Sequence, residues 1–345
     1  MMNTSMTIPR LAPYAFGICT VIVTLAGCGG PQINPSGATQ GVAQPGVAAQ
    51  SLLPPFAQRN GAMAVHPDHS RSWMAPQAER DSLLYISDLG TNAVYVYSYP
   101  KGALLGTLTG FDAPFGECVD NKGDVFIANY EASNILEYAH GGTSPIATLS
   151  DPGYLPIGCA VDPTTGNLAV TNYMSTGDTL GTVAIYKGAK GKPKAYYTDP
   201  VIVQMAFCGY DKAGNLFVDG STSGGAFAFA ELPKGSASFR KISLNQHIQY
   251  PDGVQWDGTH IAVEDGSVGV IYRFAISGMK GTEVGSTPLV GSSDVIDFWI
   301  DGSKVIGPNN EGGSVTFWSY PAGGLGTKTI GGLVEPAGAT VSAGE

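Results

Sequence analysis

The turn glycines Gly123, Gly166, Gly214, Gly258 and Gly302 recur 43, 48, 44 and 44 residues apart, and each closes a version of one phrase. The copies begin Val119-Asp120, Val161-Asp162, Tyr210-Asp211, Trp256-Asp257 and Ile300-Asp301, and each leads into a short apolar run. Runs of β-branched and aromatic residues bounded by Gly, Asn and Asp are strand and hairpin signals. A sheet unit repeated at such a period marks a propeller or solenoid, because one unit cannot cover its own faces and must stack on neighbours.

Six copies of a second strand follow, at residues 85–88, 126–129, 169–172, 216–220, 261–265 and 305–309, and six of a third, at 94–97, 135–138, 183–186, 227–230, 270–274 and 315–320. The first-strand phrase has a sixth copy only at the C-terminus, over residues 335–344, whereas the first unit starts abruptly at Leu83. The two fragments complement each other. The expectation is an all-β, six-bladed propeller of four-stranded antiparallel blades over residues 81–345, its first blade completed by the C-terminal strand. Such closure leaves no open sheet edge.

Composition narrows the partners. Charged residues are only 13% of the chain, 48 residues are Gly, and the formal charge is −10. Nucleic acid demands clustered Lys and Arg, and the densest basic stretch, residues 187–194, reads as a solvated hairpin tip. Nucleic acid is therefore excluded, and a monomer is expected.

Residues 1–27 read as a secretory signal: Arg10, then an apolar run over residues 11–26 that is too short to span a bilayer. It ends in Leu25-Ala26-Gly27-Cys28, which resembles the lipobox of bacterial lipoproteins. That resemblance implies a lipidated Cys28 and a membrane partner through the N-terminal lipid. Gly29 follows, with no Asp to resemble an inner-membrane retention signal, so the outer membrane, periplasm or cell surface is the expected address. Residues 28–80 read as the lipidated Cys and an irregular linker, with Trp73 as a docking residue.

Cys118, Cys159 and Cys208 fall on first strands. Cys159 and Cys208 each stand three residues before the repeat Asp, so they occupy matching sites on neighbouring blades. A Cys159–Cys208 disulfide is one expectation, and free buried thiols the other.

Asp88, Asn129, Asn172, Asp219, Asp265 and Asn309 close the second strands at corresponding places. They are expected to ring one mouth of the central channel, where Asp and Asn oxygens suit a hard cation such as calcium. With Tyr130 and Tyr173 nearby as aromatic contacts, such a mouth also suits a sugar, peptide or protein. The plainer reading of the same residues is that they start turns by hydrogen-bonding local backbone. Glu117, Asp252 and Asp297 sit near the starts of first strands and add carboxylates to that region. No nucleophile elbow, zinc-protease helix motif or phosphate-binding glycine loop occurs, and no catalytic residue is assigned.

The phrase carried by Pro114, Gly116, Val119, Asp120, Gly123, Asn129 and Tyr138, and again by Pro156, Gly158, Val161, Asp162, Gly166, Asn172 and Tyr186, resembles NHL-type and gluconolactonase (SMP-30)-like six-bladed propellers. Enzymatic relatives of that kind, lactonases and streptogramin lyases, use a divalent metal at the channel mouth. The resemblance implies Asn172 and Asp219 as amide and carboxylate ligands, with Glu117 or Glu335 as candidate partners. Two classes of function follow: a lipid-tethered binding module, which the missing catalytic set favours, and a metal-dependent hydrolase or lyase.

Overall fold

The computed structural model describes residues 71–344. The expected signal, the lipidated Cys28 and the linker up to residue 70 lie outside the described residues.

Six sheets form, each built around four antiparallel strands. Blade 2 runs outward from Pro114–Val119 through Val125–Asn129 and Asn134–Tyr138 to Ala147–Ser150. Blades 3 to 6 repeat that order from inner strands Tyr154–Val161, Gln204–Tyr210, Val254–Trp256 and Trp299–Asp301. In blade 1 the inner strand is Pro336–Ser342, paired antiparallel to Leu83–Asp88 from Leu83↔Ser342 to Asp88↔Pro336. The chain therefore closes by backbone hydrogen bonds between its two ends. Blade 1 also gains an outer strand, Trp73–Met74, in register with Thr107 and Gly106. The expectation that everything before residue 81 is irregular is corrected there, because an open outer edge takes up any extended segment that reaches it.

The recurring phrase has a local cause. Asp120 Oδ1 accepts from the N–H groups of Lys122 and Asp124, at 2.8 and 3.0 Å. Asp211 Oδ1 accepts likewise from Ala213 and Asn215. The carboxylate holds the turn shut, and Gly123 then adopts φ +87°, a conformation that L side chains resist.

The core lies between blades. Alternate residues of one strand face opposite neighbours, so Leu83 and Tyr85 pack with Val125 and Ile127 of blade 2. Leu84 and Ile86 pack with Ile306 and Phe317 of blade 6. With both faces buried, second strands read as continuous apolar runs instead of alternating ones.

That alternation overturns the expected Cys159–Cys208 bridge. Matching positions on neighbouring blades point the same way around the ring and never toward each other. Cys159 faces blade 2, and Cys208 faces blade 3. Cys118, displaced by one residue in the phrase, has the opposite parity and meets Cys159: the disulfide is Cys118–Cys159, Cα–Cα 5.7 Å. It bridges the inner strands of blades 2 and 3 across a sequence separation of 41. Chain-entropy reasoning gives such a loop a stabilisation of roughly 4 kcal/mol, at the top of the usual range. Cys208 stays a buried thiol, and burial pushes its pKa up.

Candidate functional site

The six residues that end the second strands occupy corresponding places, and all are buried. Five of the six are turned into their own blade, onto backbone near the start of the inner strand or, where that segment is displaced, just before it. Asp88 accepts from the N–H groups of Val334 and Glu335, at 2.8 and 3.1 Å. Asn129 Oδ1 accepts from Asp112 N–H at 2.7 Å, Asp219 Oδ1 from Phe207 N–H at 2.8 Å, and Asn309 Oδ1 from Ser293 N–H at 3.1 Å. Asp265 accepts from Gln249 N–H and from the Ser267 hydroxyl. Asn172 instead donates to Thr182 Oγ1 at 3.1 Å. In every blade but the third, these side chains pin the start of the inner strand, or the segment just before it, to the second strand. Buried backbone N–H groups at strand starts need such partners.

Tyr130 and Tyr173 are buried in the apolar cluster that also holds Phe115, Leu155, Ile157, Ala206, Phe207, Ile296 and Ala337. That cluster joins residues from the starting halves of inner strands to second- and third-strand residues of blades 4 and 5, among them Phe217, Phe229, Ile261, Val263 and Phe274. Burial in this cluster leaves neither Tyr130 nor Tyr173 with an exposed ring.

Among the described residues, no group of three or more His, Cys, Asp or Glu side chains is placed to hold a metal ion. Asn172 and Asp219 sit on the second strands of neighbouring blades, each engaged within its own blade. Asn172 Oδ1 and Asp219 Oδ2 are buried and have no hydrogen-bond partner.

A different site lies further along the channel. A cavity of about 240 Å³ opens between the closing halves of the inner strands of blades 2 to 6. Its walls include Glu117, the two bridged cysteines, Cys208, Trp256, Asp297 and Trp299. Glu117 is 4% exposed, and neither carboxyl oxygen has a hydrogen-bond partner. Burial pushes its pKa well above the usual carboxylate range, and the nearby Asp297 adds to the rise. Asp297 accepts from Phe298 N–H at 2.8 Å, yet burial still lifts its pKa to about 8. Sequence reasoning named both carboxylates but put them at the other end of the channel. Their distance from the repeat Asp was the available signal: Glu117 stands three before Asp120 and Asp297 four before Asp301, in the closing half of each phrase.

A third group of acids lies between blades 5 and 6. Asp252 accepts from Gly266 N–H at 2.7 Å, and Glu264 is fully buried with neither oxygen partnered. Burial, with Asp252, Asp297, Asp294 and Asp265 nearby, pushes the Glu264 carboxyl well above its ordinary pKa.

No protein family matches the chain, and no curated protein does. Solved structures do: 1215 chains match. One of them, described as "Crystal structure of Nidogen/Laminin Complex", aligns with a TM-score of 0.59 at 12% identity. The alignment covers 76% of this chain and 98% of that one. At that identity the likeness is one of fold, and with the blade count and register above it makes this chain a six-bladed β-propeller.

Proposed function

We propose that the chain is a lipid-anchored, extracytoplasmic binding module of the NHL or gluconolactonase-like type, with a polar ligand held in the channel cavity. The observation that carries the reading is Glu117, a carboxyl group lining a cavity with no protein partner for either oxygen. Such a group costs free energy unless something satisfies it, and a site that recognises a polar ligand has use for it. The Cys118–Cys159 disulfide supports an address outside the cytosol, where thiols are kept reduced.

Two measurements test this. In a thermal-shift screen of amines, sugars and short peptides, at least one class is expected to raise the melting temperature of the wild type, with the shift lost in Glu117→Gln. No shift from any class, or shifts indifferent to Glu117→Gln, would remove the site. For the anchor, the wild type is expected in the membrane fraction and Cys28→Ser in the soluble one; equal partition of the two would remove the tether.

A further inference from the structure

The cavity's chemistry is more specific than polarity. Glu117, on the inner strand of blade 2, and Asp297, just before that of blade 6, both line it, and no Lys, Arg or His is among the residues lining it. Five of the other lining residues are aromatic, Phe207, Tyr210, Trp256, Phe298 and Trp299, set among Cys, Val, Ala and Gly. Carboxylates attract a cation, and aromatic faces stabilise one further through the ring quadrupole, most strongly when water is excluded. A metal ion gains little from aromatic walls, since hard cations need six or more oxygen donors. Only a cation stabilises the ionised form of these two acids, and an anion is repelled by it. At about 240 Å³ the space is below the range for drug-sized ligands and suits a small molecule.

We propose that the cavity between the closing halves of the inner strands, walled by Glu117, Asp297, Trp256 and Trp299, binds a small organic ammonium ion. This rests on the binding-module reading and names its ligand class. The ammonium sits between the two carboxylates with its hydrocarbon part against the indole and phenyl faces. Binding favours the ionised carboxylates, so it releases protons to the buffer. Half-buried Trp256 and Trp299 at the wall make tryptophan emission a direct reporter.

The experiment is a titration of the purified chain, by calorimetry and tryptophan fluorescence, with benzylammonium and choline. Benzyl alcohol serves as the neutral isostere and calcium chloride as the inorganic cation. Expected are saturable binding of at least one ammonium probe, affinity for benzylammonium at least about tenfold above that for benzyl alcohol, and a loss of about tenfold or more in Glu117→Gln and in Asp297→Asn. Glu264→Gln, outside the cavity, is expected to bind as the wild type does. Should either carboxamide variant fail to fold, the alcohol comparison on the wild type decides alone. Equal binding of alcohol and ammonium, or no binding of either ammonium probe, overturns the proposal. Calcium or a sugar binding in a Glu117-dependent way, without ammonium binding, overturns this ligand class while leaving the binding module standing. Failure of every probe here and of every class in the thermal-shift screen overturns both.

Discussion

Removing residues 333–345 is expected to abolish the cooperative thermal transition of the propeller, an effect larger than that of any single substitution. The segment supplies the whole inner strand of blade 1, and with it the register from Leu83↔Ser342 to Asp88↔Pro336. Its loss strips the pairing edge from Leu83–Asp88 and leaves the Asp88 carboxylate, buried at 0% exposure, without Val334 and Glu335 to donate to it. Buried Ala337 and Ala339 go with it, as does the Ser342 hydroxyl that bonds His140 and Gly123. A repeat ring is stabilised mostly at its interfaces, so an opened ring loses support at the broken one and exposes a sticky strand edge. A gentler version is Gly338→Val. A Cβ at that position would stand 2.3 Å from the Phe115 carbonyl oxygen and 2.8 Å from Ser87 Oγ. Backbone cannot yield there cheaply, so a loss of about 3 kcal/mol or more is expected. Circular-dichroism melting and guanidinium midpoints measure both variants. An unchanged melting temperature in the truncated chain would show that the ring does not depend on this closure.

The closure was legible because it is written twice, as a first-strand phrase at the C-terminus and a missing one at Leu83. The blade count followed from the Asp–Gly turns, whose side-chain-to-backbone bonds repeat for a local reason. What the sequence hid were matters of direction. Cys159 and Cys208 hold the same place in the phrase, and that sameness is what keeps them apart, since facing positions on neighbouring blades need opposite parity. The strand-ending acids and amides, Asp88 to Asn309, hold corresponding places in the six blades, and all are buried. Whether such a side chain turns outward to a ligand or inward to backbone depends on the depth of the strand start, which no local pattern encodes. For the same reason Glu117 and Asp297 could be named but not placed: one step along a strand moves a side chain to another face, and a few steps move it to the other end of the channel.

The second large effect concerns pH and centres on Glu264. In blades 1 and 3 the residue just before the strand-ending acid or amide is a hydroxyl donor to the next blade. Ser87 donates to the Phe115 carbonyl, and Thr171 Oγ1 to the Ala206 carbonyl at 2.5 Å. Blade 5 has Glu264 in that place, with Asp252, Asp265, Asp294 and Asp297 around it. A carboxylate cannot donate, and burying its charge among other acids is costly. A protonated carboxyl avoids both penalties. Because the folded-state pKa values of Glu264, Asp252, Asp219, Glu117 and Asp297 are all raised, the folded chain binds more protons than the unfolded one. Their contribution is therefore fully present below the ordinary carboxylate values near ~4 and is lost as pH rises through the folded values. For Asp297 that window ends at about 8. A tenfold difference in proton affinity between folded and unfolded chain is worth roughly 1.4 kcal/mol, so this one group already makes a difference of several kcal/mol. The propeller is expected to melt highest in mildly acidic buffer and to lose stability steadily toward about pH 9. Glu264→Gln keeps the shape and supplies an N–H donor without a charge. It is expected to match the wild type near about pH 4, where the carboxyl is protonated, and to exceed it by about 1–3 kcal/mol near about pH 9. Guanidinium unfolding across that range reads the difference. A wild type whose stability rises toward alkaline pH, or a Glu264→Gln variant that parallels it at every pH, would mean that Glu264 carries its charge in the folded chain.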